Sequence, residues 1–266
     1  MVQSRFGNSS TLSAVVLLLA SSCFSFSLHP QLGPLSDPAQ APQAQTQEEL
    51  DAYLEIASQT TPQQIVIDVD AFAARFPESK LLGIAYQYQM HAFQQLGKFD
   101  GVLTAGQKAL AANPENVNTL LTLAPVIANG AMQRPDRDQL LAQAESYAKQ
   151  ALSGIDKIRP PHKISLEQWE LEKRSMQCSA YETLGVIALD RGDAKTAISE
   201  FEATIPLPPA ADGTRFFRLG VAYASDGRAE DAKKSFQRAV ELGPETVRKL
   251  AIEQLDALEK RESISK

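Results

Sequence analysis

The residues best able to ligate a metal or act as nucleophiles are few. There are three histidines, His29, His91 and His162, and two cysteines, Cys23 and Cys178. None of them pairs with another at a working spacing. A metal site needs a set such as His-x-x-x-His, Cys-x-x-Cys or an Asp-rich loop, and none occurs. A nucleophile elbow of the Gly-x-Ser-x-Gly kind and a phosphate-cradling Gly loop are also missing. The adjacent acids Glu48-Glu49 and Glu230-Asp231 stand at helix starts, where carboxylates favour the helix dipole. Cys178 is expected to be a small buried apolar residue, because a redox thiol needs a lowered pKa and a resolving partner. The expectation is a protein that is not an enzyme and holds no cofactor and no metal.

Composition bounds the partners. The formal charge is −6 over 266 residues, so the basic footprint that nucleic acid requires is missing. Apolar residues make up 44% and charged residues 22%, the balance of a globular chain. The first residues differ from the rest. "MVQSRFGNSSTLSAVVLLLASSC" carries Arg5, no acid, an apolar run Ala14 to Ala20 and then small residues. This is a secretory leader pattern, short for a transmembrane span. Residues 1–22 are therefore expected to be a signal peptide.

Leu19, Ala20, Ser22 and Cys23 resemble a bacterial lipobox, in which Cys23 would be the lipidated residue. Plain cleavage near Ser22 or Ser27 is the other reading, and an uncleaved anchor is a third. In each, any membrane contact runs only through this segment, and the expectation is an exported protein, periplasmic or anchored by lipid at Cys23. Loss of the leader removes Arg5 and brings the charge to −7. With Cys23 removed or lipidated, Cys178 has no partner within the chain, so no disulfide framework exists.

The elements that would position any site are helical. Residues 23–47, rich in Pro, Gln and Ala, form a linker. From residue 48 to 262 the apolar spacing is that of helices, with no run of alternating β-branched residues. Thr61-Pro62-Gln63-Gln64 and Ser165-Leu166-Glu167-Gln168 are expected to open helices as capping boxes. Pro77, Pro114, Pro209 and Pro244 each close an amphipathic run. A helix of about 26 residues is expected from Ser165, roughly 39 Å long. Its front half, around Trp169, is expected to pack back on the region near Asn129 rather than project. A closing helix spans Val247 to Leu258, with a disordered tail at 263–266.

Two stretches repeat. Phe216, Leu219, Gly220, Tyr223, Gly227, Ala232, Phe236, Ala239 and Pro244 recur upstream as Tyr181, Leu184, Gly185, Ala188, Gly192, Ala197, Phe201 and Pro209, with the paired glycines Gly185 and Gly220 thirty-five residues apart. Small residues such as Gly220 and Ala232 mark places where two helices cross closely. Tyr223 and Phe236 are expected to fill the space between neighbouring helical pairs. The pattern resembles the tetratricopeptide repeat, a helical hairpin of 34 residues. An earlier unit matches at Tyr86, Phe93, Gly97, Ala109 and Pro114. It departs at Met90, where Gly or Ala is usual, and at Gly106, where an aromatic is usual. Further units begin near Asn118 and Glu48. The resemblance implies an all-α, right-handed α-solenoid of about five helical hairpins with a C-terminal capping helix.

The resemblance also implies a concave groove lined by the first helix of each hairpin. Its register places Ile84, Gln87, His91, Gln94 and Gln95 there in the second unit, and Asn118, Leu121, Pro125, Ala128 and Asn129 in the third. The fourth unit places Ser179, Glu182, Val186, Leu189 and Asp190. The fifth places Thr214, Phe217, Val221, Ala224 and Ser225. None is Lys or Arg, so the cationic clamp by which some repeat proteins grip an acidic tail is not implied. The implied partner is a protein or peptide, as an extended segment or a helix. The expected role is a protein–protein scaffold or adaptor of a bacterial cell envelope. A lipoprotein that assists outer-membrane protein assembly or envelope growth, and a non-catalytic docking subunit of an enzyme, are the alternatives.

Overall fold

The computed structural model describes residues 43–160 and 164–264. The leader, Cys23, His29, His162 and nearly all of the linker lie outside these residues. The described residues form eleven α-helices and no strand. The chain divides after Lys173 into an N-terminal unit, described from residue 43 to 173, and a C-terminal unit, described from 174 to 264.

In the N-terminal unit, α1 (Gln47–Ser58) and α2 (Pro62–Arg75) form the first hairpin. α3 (Leu82–Gln95) and α4 (Phe99–Ala112) form the second, and α5 (Val117–Gly130) and α6 (Arg137–Ile155) the third. α2 packs on α3 and α4 on α5, and α1 also touches α3. α7 (Leu166–Asp190) contains the division. In the C-terminal unit its later part pairs with α8 (Ala194–Thr204), then α9 (Gly213–Ser225) pairs with α10 (Ala229–Leu242), and α11 (Glu245–Ile264) packs on both. Each unit is an all-α stack of helical hairpins, and a further helix closes the C-terminal one. α11 runs into the stretch expected as a tail.

The caps explain most of the boundaries. Ser165 and Gln168 exchange side-chain and backbone hydrogen bonds at 3.2 Å in both directions, which satisfies two donors the helix would otherwise leave open. The expected box at Thr61 is not made. α2 does start after Thr61, with Pro62 in its first turn, but the Thr61 side chain caps nothing. Gln59 Oε1 accepts from the Thr60 and Thr61 backbone N–H groups instead, at 2.9 and 3.0 Å. Pro77, Pro114 and Pro244 each lie two residues past a helix end, whereas α8 stops at Thr204, well before Pro209. α7 has 25 residues. Trp169 in its front half is 2% exposed, and Lys173 pairs with Asp156 just past α6 at 3.8 Å, so this half is packed.

The crossing positions are as tight as their residue types demand. A Cβ on Gly220 would stand 2.7 Å from the Phe236 ring, and one on Gly185 2.6 Å from the Phe201 ring. Ala197, Ala232, Phe236 and Ala239 are fully buried, and Phe201 nearly so. In the second hairpin the large and small members are exchanged. Met90 is fully buried where the last two units have Gly185 and Gly220, and Gly106 stands where they have Phe201 and Phe236. A side chain at Gly106 would overlap Leu123 of α5, so the departure from the repeat pattern is filled by the next helix. Gly227 turns the chain between α9 and α10 at φ +79°, where residues with a side chain are strained.

Candidate functional site

In the N-terminal unit α3 carries Gln87, His91, Gln94 and Gln95 at helical spacing, so they share one side of the helix. Gln87, His91 and Gln94 are partly buried and Gln95 is exposed. Gln87 Nε2 donates back to the Gly83 carbonyl at 3.3 Å. Burial lowers the His91 pKa from the ordinary 6.5, and a side-chain hydrogen bond with Gln94 opposes the shift. The ring is therefore neutral at pH 7. Its Nδ1 is buried and has no hydrogen-bond partner among the described residues.

α5 supplies a second such atom. Asn129 is partly buried, and its Oδ1 is enclosed without a partner among the described residues. The same helix holds Pro125 in its interior. Proline has no N–H, so the Leu121 carbonyl one turn back loses its usual helical donor. Asn118 and Pro125 are partly buried, whereas Leu121, at 7%, belongs to the core. Buried polar atoms are nearly always paired, and those that are not call for a reason. Here the open atoms on these helices, including a neutral imidazole nitrogen, can all accept a hydrogen bond.

In the C-terminal unit the expected groove positions are largely closed. Phe217 is 0% exposed, Val221 2%, Val186 8% and Glu182 6%. The Phe217 ring lies 5.6 Å from the Phe236 ring, and both belong to one apolar cluster with Val247 and Ala251. Phe217 and Val221 are thus core residues and not an open binding face, which corrects the expectation for them. Only Ser225 is fully open there, and Ser179, Leu189, Asp190 and Ala224 are partly so.

A charged cluster sits among these buried residues. Arg215 Nε donates to Glu182 Oε1 at 2.9 Å, and Arg218 Nη1 stands 3.4 Å from Glu182 Oε2. Arg215 Nη1 also donates to the carbonyls of Thr204, Leu207 and Pro209, at 3.3, 3.0 and 2.7 Å. It therefore pins the end of α8 and the chain after it to α9. Sequence reasoning missed this cluster. The available signal was two arginines at i and i+3 on an otherwise apolar helix, with Glu182 one repeat upstream. Cys178 is close by, and burial, then Glu182, push its thiol up to about 12, with Arg215 opposing. It stays a thiol at neutral pH, the form that is a poor nucleophile.

Among the described residues no group of three His, Cys, Asp or Glu could hold a metal ion. No described helix is long and apolar enough to cross a membrane. The model of the tetratricopeptide repeat family matches residues 215–246, which are α9, α10 and the start of α11. A solved structure similar to this chain is TTC0263, a thermophilic TPR protein of Thermus thermophilus. It is 16% identical, with 79% of this chain and 98% of that one covered at a TM-score of 0.46. No curated protein matches. Tetratricopeptide repeats generally mediate contacts between proteins, and such scaffolds are generally non-catalytic.

Proposed function

We propose that this chain is a non-catalytic interaction adaptor of a bacterial cell envelope. It holds an extended peptide or a partner helix against the sides of α3 and α5 that carry His91 and Asn129 in the N-terminal unit. The observation that carries this reading is the pair His91 Nδ1 and Asn129 Oδ1, each buried and each without a partner among the described residues. An unpaired buried polar atom costs stability, about 1–3 kcal/mol. A site of that kind persists where a partner supplies the missing donor, at some expense to the free protein. The Leu121 carbonyl opposite Pro125 adds a third acceptor. The partner accordingly presents N–H groups, from its backbone or from amide side chains. Export rests on Arg5, the apolar run and the small residues before Cys23, and the lipobox resemblance supports anchoring at Cys23.

The test is affinity purification of the tagged chain from its own envelope, followed by binding measurements on the recovered partner. Truncating His91 and Asn129 to Ala should weaken binding by about 1 kcal/mol for each neutral hydrogen bond, near fivefold each. The folded stability of Asn129→Ala should be unchanged or higher, since the unpartnered oxygen is removed, whereas His91→Ala also loses the bond to Gln94. Equal partner affinity in the double variant would refute the site. Intact-mass analysis of the same material tests export: retention of Met1 to Ser22 defeats it, and a diacylglycerol adduct on Cys23 establishes the anchor.

A further inference from the structure

α1 carries two stripes side by side along its length. Leu50, Tyr53, Leu54 and Ala57 stand at i, i+3, i+4 and i+7, the spacing of one helix face. Leu50 and Leu54 are 36% and 51% exposed, and Tyr53 and Ala57 are partly buried. Glu48, Asp51 and Glu55 run alongside at i, i+3 and i+7, all exposed. Large apolar side chains exposed together and bordered by polar ones mark a contact surface. The opposite side of α1 is already engaged. Ile56 is buried in the apolar cluster of the first hairpin, and the Glu49 carboxylate accepts from the Ser79 hydroxyl and, at 2.6 Å, from the Gln45 N–H.

We infer that this face of α1 binds a cationic amphipathic helix of another protein. The partner's apolar stripe lies along Leu50 and Leu54, and its Lys or Arg side chains lie over Asp51 and Glu55. Charge selects this occupant. In the first hairpin Glu48, Glu49, Asp51, Glu55, Asp68 and Asp70 stand against Arg75 alone. Arg75 is engaged by Glu48, at 3.0 Å. Asp51 accepts from the neutral Gln47 amide at 2.7 Å, and among the described residues neither Asp51 nor Glu55 forms an ion pair. A neutral or acidic partner would bury the leucines beside uncompensated carboxylates, whereas a cationic one supplies the counter-charge.

A second copy is disfavoured on the same ground. α1 contains no Lys or Arg, so two α1 helices laid together would set acids against acids. α1 has 12 residues, about 18 Å at 1.5 Å per residue, so the contact takes about three turns of the partner helix. None of its residues is shared with the peptide site on α3 and α5, so binding at one does not require the other.

Fluorescence anisotropy on the full chain tests the assignment. The probe is a labelled peptide of about 15 residues, long enough to be helical, with Leu at i, i+3, i+4 and i+7 and Arg in a flanking stripe. Leu54→Ser should weaken binding about fivefold or more, because it removes apolar surface that the peptide buries. Asp51→Asn with Glu55→Gln should weaken it about threefold or more at low salt, and added salt should narrow that difference. Glu253→Gln with Asp256→Asn, on α11, makes the same change in net charge and should leave binding unchanged, as should Asn129→Ala on α5. A peptide that binds no better than its counterpart with Glu in place of Arg overturns the proposal. So does one that binds the Asp51/Glu55 variant as tightly as the wild type. Self-association of the full chain that grows with concentration and is lost in Leu54→Ser assigns the face to a second copy and also overturns it.

Discussion

Replacing Glu182 by Gln should be among the most damaging single-atom-scale changes in the C-terminal unit. The carboxylate is 6% exposed, and its partners Arg215 and Arg218 are 2% and 3% exposed. One oxygen accepts from Arg215 Nε at 2.9 Å and the other faces Arg218 Nη1 at 3.4 Å. The amide keeps the first contact but turns a donor toward Arg218, and it leaves two buried guanidinium groups without that counter-charge. Breaking a buried pair by removing one partner costs about 3–5 kcal/mol. Each 1.4 kcal/mol is tenfold in an equilibrium, so the folded ratio falls by two to nearly four orders of magnitude, roughly.

Urea unfolding followed by far-UV circular dichroism measures this loss, and the midpoint should fall by at least about 1 M. Arg75→Gln is the control. It breaks the ion pair with Glu48, whose side chains are 60% and 76% exposed, and an exposed pair contributes about 0–1 kcal/mol. If Glu182→Gln costs no more than that control, the cluster is solvated and the reasoning from burial is wrong.

Phe217→Ala should cost about 3–5 kcal/mol of stability, because the ring is fully enclosed; the same unfolding experiment reads it, and a loss below about 1 kcal/mol would reopen Phe217 as a surface residue. Ala232→Leu or Gly220→Leu should cost about 1–3 kcal/mol or more by overpacking against α9, α10 and the Phe236 ring, checked by melting. The pH dependence of His91 has a definite sign. Its pKa is lowered in the folded state, so the unfolded chain binds the proton first, and stability is complete above about pH 6.5 and falls as the pH drops toward the folded value. His91→Gln should remove that part of the decline, and identical pH curves for the two proteins would refute the burial of a neutral ring.

Much of this was legible in the residues themselves. Helices, hairpins and their ends follow from local rules: apolar spacing, proline two residues past a helix, glycine at a left-handed turn. The close crossings at Gly185 and Gly220 were legible because a repeat states the same constraint twice. Local rules also placed His91 and Asn129 on the first helices of their hairpins. What they could not state is which of these sides stays open. Phe217 and Gln87 hold the same place in the repeat register, yet one is fully enclosed and the other only partly. That outcome depends on what packs against each helix from elsewhere in the chain. The same holds for charge. Arg215 and Glu182 are 33 residues apart, and neither spacing nor composition announces that they meet. Their pairing, like the orphaned atoms of His91 and Asn129, exists only after the helices have packed and water has been removed, because burial is what makes a partner, or the lack of one, matter.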